Sequence, residues 1–223
     1  MQNGWKGAVK LRVNADAMTL YAVTDRTWVK DTTLMDQVKE ALEGGITFLQ
    51  LREKHLSKEE FIKEAREMKE LSKEYKVPFV INDNIEVALA VDADGVHIGQ
   101  DDMSVEEARK LLGEDKIIGV SAHNVNEAMK AQKGGADYLG VGAVCATSTK
   151  KDANVVSKEE IKKIKEAVDI PIVAIGGIKK DNIHTLKGTG VDGVAVVSAI
   201  FAAEDIKETS KELLDTVKEM KQD

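Results

Sequence analysis

The sequence predicts an α/β chain that closes into a single (β/α)8 barrel over residues 18–223, with residues 1–17 as a short N-terminal extension. Three observations support this. Eight short apolar runs alternate strictly with eight segments of helical periodicity, and regular alternation with short loops implies parallel strands joined by right-handed crossovers. The repeating unit is about 25 residues long, which suits a closed barrel better than the alternative, an open doubly wound sheet. A weak internal repeat points the same way: Glu43-Gly44-Gly45-Ile46, Asp94-Gly95-Val96, Gly134-Gly135-Ala136-Asp137 and Val191-Asp192-Gly193-Val194 each introduce an apolar run.

Residues Met1 to Ala17 show no sustained period, and Met18 to Thr24 then read as the first strand, ending at Asp25-Arg26. Thr32 or Thr33 caps a helix carrying Leu34, Val38, Ala41 and Leu42, which Gly44-Gly45 stops. Ile46 to Leu51 is the second strand. Ser57 and Glu60 form a capping box for a long helix reaching about Tyr75. Val77 to Ile81 is the third strand, and a short apolar helix through Val87, Ala88 and Val91 leads to the fourth, Gly95 to Ile98. Ser104 and Glu107 make a second capping box. Lys116 to Val120 is the fifth strand, followed by a helix from about Asn124 to Gln132 and the buried run ending at Gly142. A helix over Ser157 to Val168, a strand over Pro171 to Ile175, a further helix, a strand over Gly193 to Val197 and a helix over Glu204 to Met220 complete the TIM (β/α)8 pattern.

Composition narrows the function. A net charge of -7, without a basic arm, argues against a binder of nucleic-acid backbone. The single cysteine cannot form an intramolecular disulfide, no apolar stretch reaches about 18 residues, and the N-terminus lacks a signal-like apolar core. The expectation is a cytoplasmic chain that binds neither nucleic acid nor membrane; homo-oligomerisation stays open.

In such a barrel the C-terminal ends of the strands open onto one face, where substrates bind. Here that face carries Asp25-Arg26, Gln50 to Lys54, Asn82-Asp83, Gln100 to Asp102, Ser121 to His123, Thr147 to Lys150, Gly176-Gly177 and Val197-Ser198. Asp83 and Asp102 offer the few carboxylate oxygens that a magnesium ion takes alongside water and substrate phosphates. Arg52, Lys54 and Lys150 supply positive charge suited to a di- or triphosphate-like group. Gly176-Gly177 and the backbone opening a short helix at Ser198 suit a second phosphate, as after strands seven and eight of many barrels. Two anionic sites on one face point to two phosphorylated substrates.

Seven motifs, each at a strand's C-terminal end, together resemble the thiamin phosphate synthase family over about Leu20 to Leu214. They are Gln50-Leu51-Arg52-Glu53-Lys54, Ile81-Asn82-Asp83, Gly95 to Asp102, Ser121-Ala122-His123, Thr147-Ser148-Thr149-Lys150, Ile175 to Ile178 and Val197-Ser198-Ala199-Ile200. The resemblance implies a magnesium-dependent transferase of thiamin biosynthesis. Its substrates would be 4-amino-2-methyl-5-(diphosphooxymethyl)pyrimidine and 4-methyl-5-(2-phosphooxyethyl)thiazole, or the thiazole's carboxylated form, and its products thiamin phosphate and diphosphate. By resemblance, Gln50, Leu51, Arg52, Glu53, Lys54, Asn82, Ser121 and Lys150 bind the pyrimidine diphosphate, with Arg52, Lys54 and Lys150 in the catalytic role. Asp83 and Asp102 ligate Mg2+, and Thr147, Ser148, Thr149, Gly177, Val197 and Ser198 bind the thiazole phosphate.

The sequence departs from the family where Ala143, Cys145 and Ala146 stand in place of prolines and an aromatic residue, so residues Ala143 to Asp152 are expected to be mobile until ligand binds. Plainer roles compete with the functional ones. Asp83 and Asp102 precede helices and suit helix caps, His97 suits a satisfied core histidine, and Cys145 suits a small loop apolar residue. Glu53 sits between Arg52 and Lys54 and suits a surface ion pair, while Ser121 and the threonines suit turns. Two other functions compete as well: a thiazole tautomerase using an acid/base residue such as His123, and a non-catalytic sensor of thiamin phosphate.

Overall fold

Side-chain alternation along each apolar run sets the architecture, because a strand in a closed barrel sends one residue to the interior and the next to the surrounding helices. The computed structural model describes residues 12–146 and 155–222. Its strands are β1 (Leu20–Val23), β2 (Phe48–Leu51), β3 (Phe79–Asn82), β4 (Gly95–Ile98), β5 (Ile117–Ala122), β6 (Tyr138–Gly142), β7 (Ile172–Ile175) and β8 (Gly193–Val196). Neighbours pair in parallel in chain order, and β8 closes the barrel on β1. On β2, Phe48 joins the interior cluster with Tyr21, Val80, Tyr138, Val173 and Ala195, while Leu49 and Leu51 join the layer beneath the helices. Register places Val23 beside Gln50, Asn82 beside His97, Ser121 beside Gly140 and Gly142 beside Ile175, so polar side chains gather at the upper end of the interior.

The surrounding helices are α1 (Leu34–Glu43), α2 (Lys58–Glu74), α3 (Ile85–Ala90), α4 (Val105–Leu112), α5 (Val125–Gly134), α6 (Lys158–Ala167), α7 (Ser198–Phe201) and α8 (Ile206–Lys221). Thr33, Ser57, Ser104, Asn124, Ser157 and Asp205 each accept a hydrogen bond from a first-turn amide, an interaction worth about 1 kcal/mol per helix. Between β7 and β8, where the sequence pattern suggests a helix, the chain makes only a 3-10 turn, Ile183–Leu186. Gly188 and Gly190, both at positive φ, break the helical path immediately after it, and Asp192 then leads into β8.

The last residues of the expected extension take part in the barrel. Val13 is buried in the interior cluster with Met18, the first residue of the barrel, and Ala17 packs against that cluster, so the N-terminal end is sealed. Arg12 reaches Asp137 at 2.8 Å, and the same carboxylate, only 3% exposed, also pairs with Arg109 at 2.7 Å and accepts from the Ile118 amide. A buried charge held by two guanidinium groups and an amide is adequately compensated.

Candidate active site

The opposite, C-terminal end holds a cavity of about 390 Å³. Gln50, Arg52, Lys54, Asn82, Asp83, Asp102, Ser121, Gly177, Val197 and Ser198, ten of the residues singled out from the sequence, line it. Leu51 and Glu53 do not. Leu51 is fully buried against the helical layer, as its parity on β2 requires, and the Glu53 carboxylate is held by Arg26 at 2.9 Å. Thr147, Ser148, Thr149 and Lys150 lie outside the described residues.

Asp83 and Asp102 follow the adjacent strands β3 and β4. Neither caps a helix: Asn84 caps α3 and Ser104 caps α4, so the plainer role expected for the two aspartates does not hold. Asp83 sits at φ 59, the left-handed region, a conformation that Asp tolerates better than most residues but that still costs stability. Its Oδ2 accepts from Lys54 Nζ at 2.7 Å, and Asp102 Oδ2 accepts from the Gly99 amide at 2.7 Å. Among the described residues no three His, Cys, Asp or Glu side chains cluster as a protein-only metal cage. Two carboxylates facing one cavity fit magnesium, which binds one or two protein carboxylates and completes its shell with water and substrate phosphates.

The cations are positioned by other carboxylates. Arg52 Nη1 lies 3.4 Å from Asp25 Oδ2, while its amide donates to Thr24 Oγ1. Glu53 therefore does not pair with Arg52 or Lys54, as its place between them suggested; Arg26 bridges it to Glu64 instead. Arg52 and Lys54 keep contact with the cavity, and Lys54, partnered by Asp83, sits at the mouth of the carboxylate pair.

Across the cavity, Gly176 and Gly177 adopt φ values of 97 and 68. A Cβ at Gly177 would overlap Ala146 O and approach Cys145 Cβ to 2.8 Å, so glycine is required both by conformation and by close approach. Ala143 is buried; the Val144 and Cys145 amides donate to Ile175 and Gly176 at the end of β7, each at 3.0 Å, and the Val156 amide donates to Ala143 at 2.7 Å, which closes the base of the loop. The base of the loop expected to be mobile is thus anchored; the rest of that expectation lies outside the described residues. At α7 no side chain caps the N-terminus, and the amides of its first turn adjoin the cavity where Val197 and Ser198 line it.

The floor holds residues that sequence patterning identifies only as strand. Tyr21 and Tyr138 lie beneath the cavity with their hydroxyls 2.8 Å apart, and Gln50 Nε2 donates to Tyr21 Oη. His97 contacts Tyr138 Oη through Nδ1 and Ser121 Oγ through Nε2, each at 3.0 Å, which makes it the satisfied buried histidine expected. Burial lowers its pKa to about 4 and raises both phenols, so His97 is neutral and the tyrosines are protonated at neutral pH. The parity signal was present in the sequence: Tyr21 and Tyr138 occupy inward positions, and Gly119 supplies the space that the Tyr138 ring fills. On the rim, His123 Nδ1 is 2.8 Å from Glu127 Oε2.

Residues 20–200 match the family model described as thiamine monophosphate synthase. The chain belongs to the thiamine monophosphate synthase family. Its relatives include the thiamine-phosphate synthase of Clostridium acetobutylicum, 52% identical over 199 residues that span 89% of this chain and 94% of that one. That of Methanobrevibacter smithii is 49% identical over 201 residues, 90% of this chain and 96% of its own. Among solved structures, a thiamine phosphate pyrophosphorylase from Pyrococcus furiosus superposes with a TM-score of 0.86 at 43% identity, covering 93% of this chain and 98% of that one. The family, the barrel and the enzyme class read from the sequence, a transferase of thiamine biosynthesis, therefore stand. No helix among the described residues is long and apolar enough to cross a membrane.

Proposed function

We propose that the chain condenses 4-amino-2-methyl-5-(diphosphooxymethyl)pyrimidine with 4-methyl-5-(2-phosphooxyethyl)thiazole to thiamin phosphate and diphosphate, or with its carboxylated form to the same two products plus the carboxyl group released as carbon dioxide, in a magnesium-dependent reaction. One observation carries this reading. A single cavity has Asp83, Asp102, Arg52 and Lys54 on one side and the Gly176-Gly177 turn with the uncapped start of α7 on the other. That arrangement suits one diphosphate and one monophosphate held with their organic parts between them.

Bond making and breaking need little from the protein beyond charge and position. The thiazole nitrogen forms a bond to the pyrimidine's methylene carbon as the carbon–oxygen bond breaks and its electron pair leaves with the diphosphate. Arg52 and Lys54, joined in this reading by Lys150, stabilise that departing charge, and Lys54 exchanges its Asp83 contact for a phosphate oxygen. Magnesium held by Asp83 and Asp102 would neutralise diphosphate charge when bound. The electron-rich aminopyrimidine shares the positive charge that develops on the methylene, and a neutral His97 beneath it does not oppose that charge. Val23, Ile175, Ala195 and Val197 give the cavity apolar walls that keep water from competing with the thiazole. No side-chain nucleophile is required.

A thiazole tautomerase is a second reading, favoured by the Glu127-held His123 on the cavity rim. One assay separates the two. With magnesium and both substrates, the condensing enzyme yields thiamin phosphate and leaves the thiazole alone unchanged; thiazole isomerisation without pyrimidine, and no condensation, would favour the second reading.

A further inference from the structure

Five side chains from five strands form one continuous hydrogen-bonded chain across the barrel floor: Gln50, Tyr21, Tyr138, His97 and Ser121. Its polarity follows from proton counting. The Gln50 amide nitrogen has only protons to give, so Tyr21 Oη accepts from it; the Tyr21 hydroxyl is buried, and the one acceptor within reach of its proton among the described residues is Tyr138 Oη, 2.8 Å away, to which it donates. Tyr138 then donates to His97 Nδ1, at 3.0 Å. A neutral imidazole carries one N–H, which is thereby confined to Nε2 and donates to Ser121 Oγ, also at 3.0 Å. What remains for the cavity is fixed at both ends. Gln50 Oε1, without a partner among the described residues, is an acceptor; the Ser121 hydroxyl, which accepts from His97, keeps its own O–H to donate.

We propose that Tyr21, Tyr138 and His97 are positioning residues that hold Gln50 as acceptor and Ser121 as donor, and so select a 4-aminopyrimidine over its 4-oxo counterpart. The inference rests on the function proposed above. β2 and β5 stand three strands apart in the closed barrel, so Gln50 and Ser121 approach a ring on the floor from different sides. The exocyclic amine donates to Gln50 Oε1, and the ring nitrogen across from the amine-bearing carbon accepts from Ser121. A 4-oxo ring offers a carbonyl oxygen to Gln50 Oε1, acceptor against acceptor. Accommodating it requires Gln50 to flip and every proton in the chain to reverse, including the histidine tautomer. Tyr138 is well fixed at the centre of this chain, being fully buried with its ring packed edge-on against Phe48 at a centroid distance of 5.5 Å.

The unmodified protein gives the first test. Nitrogen NMR of the imidazoles, with His97 identified among the 4 histidines by its loss in His97→Asn, should show protonation on Nε2; protonation on Nδ1 overturns the inference. Calorimetric titration with magnesium gives the second. The 4-amino diphosphate should bind roughly 100-fold more tightly than the 4-oxo compound, because a mismatched buried acceptor is left unpaired. Tyr138→Phe should cut that preference about tenfold or more while leaving thiazole phosphate affinity within about twofold. An undiminished preference, or equal loss for both ligands, overturns the positioning role. Thiamin phosphate formation in a protein with the wrong tautomer sinks only this inference, whereas absence of pyrimidine binding removes both it and the function on which it rests.

Discussion

Gly119→Ala tests the floor of the site through a single methyl group. Gly119 sits on β5 beside Tyr138, and a Cβ there would overlap Cζ, Oη and Cε1 of that ring. The ring has no room to retreat, since Tyr138 is fully buried against Phe48 and Tyr21. Overpacking of this kind costs about 1–3 kcal/mol. Displacing the phenol also weakens its bonds to Tyr21 and His97, each worth about 1 kcal/mol. The sum is a loss of about 3–5 kcal/mol, or about 6–20 °C in melting temperature for a chain of this size. Gly113→Ala is the control: nothing lies within 4 Å of its Cβ, so it carries only the backbone strain of φ 78 and ψ -175, a region kept almost to glycine, which costs about 1–3 kcal/mol. Urea titrations monitored by circular dichroism, with slopes compared, give both values. If Gly119→Ala loses no more than Gly113→Ala, the packing argument is wrong.

Further outcomes follow from the site. Asp83→Asn and Asp102→Asn, the former keeping a residue tolerant of φ 59, should each lower kcat by roughly 100-fold or more with little change in melting temperature; full activity in EDTA would contradict the metal role. Lys150→Met should reduce turnover, most for pyrimidines with poorer leaving groups, and normal turnover at low substrate would exclude Lys150 from the diphosphate site. Because His97 titrates near 4 when folded and near 6.5 when unfolded, the unfolded chain binds the extra proton between those values. Stability should therefore fall by up to ~3 kcal/mol as pH drops from 6.5 to 4, and should be independent of His97 above that range. The difference between wild type and His97→Asn, measured in EDTA, isolates this from Asp102, the charged group that most affects His97, and from Tyr138, Tyr21 and Ser121 around it. An identical pH dependence in both proteins would mean that His97 is not buried as a neutral ring.

Much of the architecture was legible because βα alternation and the Ser57-Glu60 and Thr33 caps are local signals, readable within a few residues. The missing helix between β7 and β8 was not, since four residues of helical spacing do not reveal that Gly188 and Gly190 end them at once. In the site, the face of the barrel and its charged residues followed from strand ends alone. Side-chain direction did not: Leu51 and Glu53 share a motif with Gln50 and Arg52, yet strand parity turns them away from the cavity. The partner of each charge was also hidden, because Arg26 and Glu53, or Lys54 and Asp83, are brought together only by closure of adjacent βα units. The Tyr21–Tyr138–His97 chain is the extreme case, assembled from strands remote in sequence.

The most direct test of the account is the stoichiometry of the reaction in a single time course. With magnesium and both substrates, thiamin phosphate and diphosphate should appear one to one, and omitting either substrate should abolish both. Diphosphate released without thiamin phosphate would instead make the cavity a site of hydrolysis, and the two-substrate reading of this barrel would be wrong.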